Sequence, residues 1–401
     1  MVDIKYVLDR IRDVKLKDYL SVFPMTAALL LRPFFKKKFE GAWLVCEEPA
    51  EARDNGYHFF QYMCERQSGQ KCLYAIKRKS VDSRKVMGLG EVIEYGSILH
   101  WLAYFLCEYN ISSQKGGKPN AAVCSFMELS GKFHTKNVFL QHGITINSVK
   151  FLYADRSCIE KFITSAEKET EYIKQNFGYP AGTIELTGMP RFDALHNTKA
   201  VSNRVLIMPT WRYWFDLKSK QHSDINSDFA TSEYLNRWIE ILEHPEMEKI
   251  IKEYKLDVIF YLHRNMQKHV EVFRKTRLCV TIASWKKYDI QGLLKSSEMM
   301  ITDYSSVFFD MVYMKRPVIF YQFDGDTYRK YQYQEGWFDY SNNAFGNSFS
   351  ECEDVINEME KIVKSGFIPS ERFLEEHQKM FSYYDNLNSE RVYKMLKGKT
   401  F

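Results

Sequence analysis

No two cysteines are spaced as CxxC in this chain of 401 residues, although eight are present, at positions 46, 64, 72, 107, 124, 158, 279 and 352. Most lie in apolar runs such as "AWLVCEE" and "LCVTIA". That placement is expected of buried free thiols in a reducing compartment and argues against a zinc site or a disulfide framework. Long apolar runs are also missing. A helix needs about 20 apolar residues to cross a bilayer, and the longest run near the N-terminus, "MTAALLL", breaks at Arg32 and Pro33. The opening "MVDIKYVLDRIRDVKLKDYL" is charged throughout and does not read as a secretory signal. Repeats of roughly 20–50 residues and low-complexity tracts are absent. So are a Walker lysine motif and a GxGxxG fingerprint. These absences leave a cytoplasmic globular protein that is neither membrane-spanning nor built on a P-loop.

What is present is ordinary in amount and uneven in placement. Hydrophobic residues make up 45% and charged residues 27%, with 29 Phe, 26 Tyr and 7 Trp, enough for two domains with cores of their own. The net charge of +5 gathers at the start, where residues 1–40 hold nine Lys/Arg against five Asp/Glu. Ile4, Val7, Leu8, Ile11 and Val14 fall at helical spacing. Phe34, Phe35 and Phe39 then flank Lys36, Lys37 and Lys38, a mixture suited to the headgroup layer of an anionic membrane. Residues 1–40 therefore read as a basic amphipathic segment that touches such a surface peripherally, on its inner face. An ordinary packed helix with a solvated lysine end gives the same pattern. With the excess charge confined there and no recognition motif beside it, nucleic acid is excluded as a partner.

Beyond residue 40 strands and helices alternate. Strands are expected at 41–48, 71–78, 120–126 and 136–147, with helices at 55–69 and 96–110. Residues 161–180 give a strand, a Ser165 cap and a helix ended near Gly178. The stretch 187–203 breaks the rhythm and precedes a new strand at 204–211, so a boundary falls near 198. The alternation resumes with strands at 256–263, 278–283, 299–304 and 316–323, helices at 290–297 and from Ser306, and a helix at 351–366. The last residues are expected to be helical and to cross back to the first domain. Such alternation means parallel sheets covered by helices on both faces. The domains are then 41–198 and 199–401, with ligands bound beyond the carboxyl ends of the strands in a cleft between them.

Several polar clusters fall at those strand ends. "MMITDYSS" delivers Thr302, Asp303, Ser305 and Ser306 to a helix start with Asp310 following, and N–H groups with hydroxyls there suit a phosphate. A serine at that place also reads as a plain cap. "FLQHGITI" puts His142 and Gly143 at a turn, where an imidazole can serve as a general base. "FYLHRNM" presents His263 and Arg264, suited to a pyrophosphate. "MPTWRYWF" presents Thr210 and Arg212, and "GMPRFD" presents Arg191 and Asp193. Jointly they point to a nucleotide-linked phosphate ligand.

In order and spacing, "QHG" (141–143), "GMPRFD" (188–193), "PTWR" (209–212), "LHRN" (262–265), "TDYSSVFFD" (302–310) and "KRPVIFYQFDGDTYR" (315–329) resemble the CDP-glycerol glycerophosphotransferase family. That family comprises the wall teichoic acid primases and polymerases and their capsule relatives. The resemblance spans roughly residues 40–360, and "TDYSSVFFD" followed by "KRP" is its specific part. It implies an α/β GT-B fold of two Rossmann-like domains facing across a cleft. It implies transfer of a polyol phosphate, glycerol phosphate first, from CDP-glycerol or CDP-ribitol to a hydroxyl of a lipid-linked glycan or growing polymer, with CMP leaving. His142 matches the family's base and His263 the histidine that faces the donor phosphates. Thr302, Asp303, Ser305 and Ser306 match the donor block. Gly143, Arg191, Thr210, Arg212, Arg264 and Asp310 complete the expected substrate-binding set. No cofactor or metal is called for, although Asp303 or Asp310 could help hold Mg2+. The chain departs from the family at "LQHG", where Thr-Trp-His-Gly is frequent, and at "HRN", where His-Tyr or His-Pro is frequent. Those departures bear on the acceptor and the polyol. The competing readings are a GT-B glycosyltransferase with a nucleotide-sugar donor and a membrane-associated scaffold without catalysis.

Overall fold

The computed structural model describes residues 16–131, 133–215, 225, 227–275 and 279–401. The stretch from Ile4 to Val14 lies outside them. Two compact units emerge: Met1–Ile144, Val149–Ala194 and Ser382–Phe401 form the first, and Thr145–Ser148 with Leu195–Phe381 form the second.

The first unit carries seven parallel strands: β1 Trp43–Cys46, β2 Cys72–Ile76, β3 Glu91–Glu94, β4 Tyr109–Ser112, β5 Asn137–Phe139, β6 Ile159–Thr164 and β7 Ile184–Leu186. Their order is β3-β2-β1-β4-β5-β6-β7. The second carries β8 Arg204–Ile207, β9 Asp257–Tyr261, β10 Thr281–Ala283, β11 Met299–Thr302, β12 Val318–Tyr321 and β13 Ser348–Phe349, in the order β10-β9-β8-β11-β12-β13. Both are doubly wound sheets of the Rossmann kind, and both reverse direction beside their first strand. That reversal opens a crevice at the carboxyl ends of β1 and β4, and another at those of β8 and β11.

The strands form because their side chains find a core on each face. In β1, Trp43 and Val45 pack with Phe59, Phe60, Tyr74 and Ile111 on one side. Leu44 and Cys46 pack with Leu73, Ala75, Ile93 and Trp101 on the other. A strand buried on both faces has no polar side to show, which is why "WLVC" is apolar without alternation. Each fully buried side chain of Leu or Phe size stabilises by about 1.5–3 kcal/mol. The helix Asn55–Arg66 follows β1, and its buried Phe59, Phe60 and Met63 lie on one side. Gly56 in its first turn is required by close approach, since a Cβ there would come within 2.8 Å of Glu47 Oε1.

Several expectations are corrected. Residues 120–126 are not a strand but belong to the helix Ala121–Leu129, whose cap Asn120 accepts from Val123 N. The helix expected at 96–110 is Ile98–Leu106, and β4 follows it. Ser165 is not a side-chain cap; its backbone N–H instead donates to Glu169 Oε2 at 2.9 Å. The helix expected from Ser306 begins at Phe308. The last residues do form a helix, Asn388–Leu396, and as expected it belongs to the first unit, so the second unit ends at Phe381 and not at 401. There Val392 and Leu396 join the Trp43 cluster, and Arg391 Nε donates to Thr187 O at 2.7 Å.

Candidate active site

In the first unit, His142 lies just past β5 at the carboxyl edge of the sheet. Its side chain is 68% exposed, while the groups beneath it are buried. Gln141 takes a left-handed backbone conformation, φ 62°, which costs a residue other than glycine about 1–3 kcal/mol and persists only where its surroundings over-determine it. They do so here. Gln141 Nε2 donates to Ile163 O at 2.7 Å and to Glu169 Oε1 at 2.8 Å, and Gln141 O accepts from Asn55 Nδ2 at 2.8 Å. The turn thus pushes the imidazole outward from a fixed base.

A carboxylate meets that imidazole from behind. Asp54 caps the helix Asn55–Arg66 by accepting from Asn55 N at 2.8 Å. Its Oδ2 lies in short contact with His142 Nδ1. Buried Arg191 donates from one nitrogen to Asp54 Oδ1 at 2.9 Å and to His142 O at 2.7 Å. Gln114, just past β4, brings its amide within 2.9 Å of the same Nδ1. Deeper still, Glu47 at the end of β1 accepts from Arg53 N at 3.1 Å, Tyr57 N at 3.0 Å, Ser113 Oγ at 2.9 Å and Tyr74 OH at 3.1 Å. It therefore fixes the turn that presents Asp54.

The charges tune one another. Asp54 holds the His142 imidazole above its ordinary pKa, and this outweighs the desolvation of the inner ring edge against its buried neighbours and the Arg191 charge, which both push it down. Burial alone would raise Asp54, but His142 and Arg191 outweigh it and the carboxyl lies below its usual range. Burial, then the neighbouring Asp54, push Glu47 up to about 7.

In the second unit, His263 ends the run of β9 and stacks on Trp211, ring centroids 6.1 Å apart. His263 Nδ1 accepts from Asn265 N at 3.2 Å, which in the neutral ring makes Nε2 the N–H donor. Arg264 is exposed and lies over the Trp285 ring at 5.0 Å. Ser305 and Ser306 are half-buried at the end of β11, and Ser305 Oγ accepts from Val307 N at 3.4 Å.

The rest of the expected donor block is enclosed. Arg212 is 0% exposed. It donates to both oxygens of Asp324, at 2.8 and 2.9 Å, and pairs with Asp303 at 2.8 Å. Its guanidinium stands over the rings of Tyr234, Tyr304 and Tyr328 at 5.1, 5.2 and 4.9 Å. Asp303 accepts from Thr210 N at 2.8 Å and Tyr304 N at 2.7 Å, and burial raises its pKa. Thr302 Oγ1 donates to Met208 O at 2.7 Å. Asp310 is fully buried and accepts from Gln291 Nε2 at 3.1 Å. Thr210, Arg212, Thr302 and Asp303 therefore tie β8 and β11 together beneath the crevice, and Asp310 ties the helix Phe308–Tyr313 to the helix Ile290–Ser296. Arg212, Thr302, Asp303 and Asp310 are fully enclosed and Thr210 nearly so, which places them behind the lining of the crevice. Asp303 and Asp310 do not fit a Mg2+ site for the same reason.

The structure thus brings His142, Gly143 and Arg191 together in one unit, and His263, Arg264, Ser305 and Ser306 at the carboxyl edge of the other. It adds Asp54, Glu47, Gln141 and Asp324, which sequence reasoning did not find. Asp54 had a signal, an Asp directly before a helical pattern, but that signal speaks only of a cap.

A family model described as CDP-Glycerol:Poly(glycerophosphate) glycerophosphotransferase matches residues 26–398. The minor teichoic acid biosynthesis protein GgaB of Bacillus subtilis (strain 168) is 29% identical over 363 residues, covering 88% of this chain and 39% of GgaB. A teichoic acid poly(glycerol phosphate) polymerase of the same organism is 27% identical over 209 residues, 48% of this chain and 25% of that protein. The chain therefore spans well under half the length of either relative. A solved structure of the wall teichoic acid polymerase TagF superposes with a TM-score of 0.64 at 16% identity, covering 96% of this chain and 99% of the other. The fold is α/β of the GT-B class.

Proposed function

The chain belongs to the CDP-Glycerol:Poly(glycerophosphate) glycerophosphotransferase family, and from that premise we propose that it transfers glycerol phosphate from CDP-glycerol to a hydroxyl of a lipid-linked glycan or a growing teichoic-acid-type polymer. The observation that carries this reading is His142, exposed on a left-handed turn that a buried network holds in place. His142 takes the proton of the acceptor hydroxyl, and that oxygen attacks the β-phosphorus in line. The bond from the β-phosphorus to the bridging oxygen breaks, and its electron pair leaves with CMP. His263, protonated on Nε2, donates to the diphosphate, with Arg264, Ser305 and Ser306 beside it. The buried residues Arg212, Thr302 and Asp303 keep that edge in shape. The test is incubation with CDP-glycerol, CDP-ribitol and a nucleotide sugar in turn, with a lipid-linked acceptor. CMP released from CDP-glycerol supports the reading, and turnover of the nucleotide sugar alone overturns it.

The donor half makes its own prediction. His263→Ala and Ser306→Ala should each weaken CDP-glycerol binding about tenfold, the worth of one hydrogen bond to a charged group, with unchanged melting temperatures. Calorimetry showing wild-type affinity in both variants would remove the diphosphate from this edge.

Membrane contact belongs to the same reading. Among the described residues no helix is long and apolar enough to cross a membrane. The helix Val22–Phe39 instead exposes Phe23 at 75%, Leu30 at 73% and Phe34 at 82%, with Lys36, Lys37 and Lys38 in its last turn. Phe39 and, in part, Phe35 turn inward and pack with the Trp101 cluster, so only Phe34 of the three aromatics remains for a lipid surface. Each lysine contributes about 1 kcal/mol near an anionic bilayer. Replacing all three by Glu should lower sedimentation with anionic vesicles by about 100-fold or more, and unchanged sedimentation would rule the surface out.

A further inference from the structure

The geometry points to Asp54 as a positioning residue that fixes the proton of His142 on Nδ1 and leaves Nε2 as the basic atom of the transfer reaction. This assignment rests on the reading of His142 as the base.

Donors and acceptors around the ring decide its tautomer. An imidazole has two nitrogens, and whichever one donates leaves the other as the acceptor. His142 Nδ1 faces Asp54 Oδ2, which can only accept, so Nδ1 carries the proton. The Gln114 amide nitrogen stands 2.9 Å from that same Nδ1. Amide oxygen and nitrogen are assigned from their partners, and turned about, Gln114 accepts from the same N–H. Both neighbours then agree. Nε2 keeps its lone pair on the exposed side of the ring. The second histidine is set the opposite way: His263 Nδ1 accepts a backbone N–H, so its Nε2 is a donor. One imidazole is thus built to take a proton and the other to give a hydrogen bond. When Nε2 of His142 accepts the proton of the acceptor hydroxyl, an imidazolium forms against the Asp54 carboxylate. The proton stays on His142 until product leaves.

The other oxygen of Asp54 makes the assignment testable. Oδ1 accepts from Asn55 N at 2.8 Å and Arg191 NH1 at 2.9 Å. Both are donors that cannot reverse. In Asp54→Asn the amide oxygen must therefore remain at the Oδ1 position, which turns the NH2 group toward His142 Nδ1. A donor there forces the imidazole onto its other tautomer, with the proton on Nε2 and no lone pair for the acceptor hydroxyl. Asn is as good an N-cap as Asp, so the helix Asn55–Arg66 keeps its start. The charges facing His142 are Asp54 on that cap, Arg191 from the turn Pro190–Ala194 and Glu47 after β1. Removing the negative charge of Asp54 leaves Arg191 to push the imidazole pKa down.

The experiment is nitrogen-15 NMR of the imidazoles in the full chain, wild type and Asp54→Asn, beside CMP release across pH. Expected are a proton on Nδ1 of His142 in the wild type and on Nε2 in the variant. CMP release should fall about 10²–10⁴-fold, with the acid limb moved to lower pH and CDP-glycerol affinity within about twofold of wild type. A wild-type His142 protonated on Nε2 overturns the assignment without reference to any variant. So does an Asp54→Asn protein with wild-type turnover and an unmoved acid limb. A wild type that releases no CMP overturns the transfer reading instead, and the NMR comparison still decides the position of the proton.

Discussion

A His142→Asn protein is expected to bind CDP-glycerol normally, to melt near the wild-type temperature, and to release CMP about 10²–10⁴-fold more slowly. The expectation follows from where the imidazole stands. Its side chain is 68% exposed, so little apolar burial is lost with it. Removing it does not strand Asp54, which still accepts from Asn55 N and Arg191 NH1, and the Gln141 turn is held by its own side chain. Asn is polar and short, and it has no proton acceptor of suitable pKa. In the wild type the pH dependence should show the same group. Asp54 keeps the imidazole protonated to higher pH than an ordinary histidine, and a protonated imidazole is not a base. Turnover should therefore rise with pH and level off above the ordinary histidine value. A folded His142→Asn protein with near-normal CMP release would remove His142 from the chemistry and leave His263 as the candidate.

The parts of the fold legible in the sequence were those whose cause is local. "WLVC" and "CLYAI" read as strands because both faces are buried, and "MMIT" for the same reason. Where a short apolar run could be strand or helix, composition did not decide. Residues 120–126 went to the wrong side, although Asn120 was a cap in plain view. The start of the short strand β4 was taken into an overextended helix, so the strand went unread, and Ser113 and Gln114 that follow it went unnoticed. His142 and His263 could be nominated from the sequence because a histidine after a strand has a place in this kind of sheet. Asp54 could not, because its partner is 88 residues away and nothing in "EARDNGYHFF" points to position 142. The enclosure of Arg212 was hidden for a related reason. An arginine at a strand end resembles a phosphate ligand until two carboxylates, from the ends of β11 and β12, are seen to meet it.

That burial gives the largest stability effect expected of any single change. Arg212→Met should unfold or severely destabilise the second unit, by roughly 3–5 kcal/mol, because removing one partner of a buried ion pair leaves the other charge uncompensated. Here two carboxylates lose their partner at once, Asp303 at 0% exposure and Asp324 at 8%. The stacked contacts with Tyr234, Tyr304 and Tyr328 go with it. A domain is stable by only about 5–15 kcal/mol, so the loss should appear as a lowered melting temperature or as insoluble protein. The effect has a sign in pH. Burial already raises Asp303, and a carboxyl whose folded pKa lies above its unfolded value favours the fold at low pH and loses that contribution as pH rises through the folded value. Without Arg212 that pKa rises further. The deficit should therefore be greatest at neutral and alkaline pH and shrink on acidification. Adding Asp303→Asn and Asp324→Asn to Arg212→Met should recover much of the stability, since a neutral amide needs no counter-charge. The opposite result is equally distinct: an Arg212→Met protein with the wild-type melting curve but no affinity for CDP-glycerol would mean that the guanidinium meets the donor, and that its enclosure beneath β8 and β11 is not what holds the unit together.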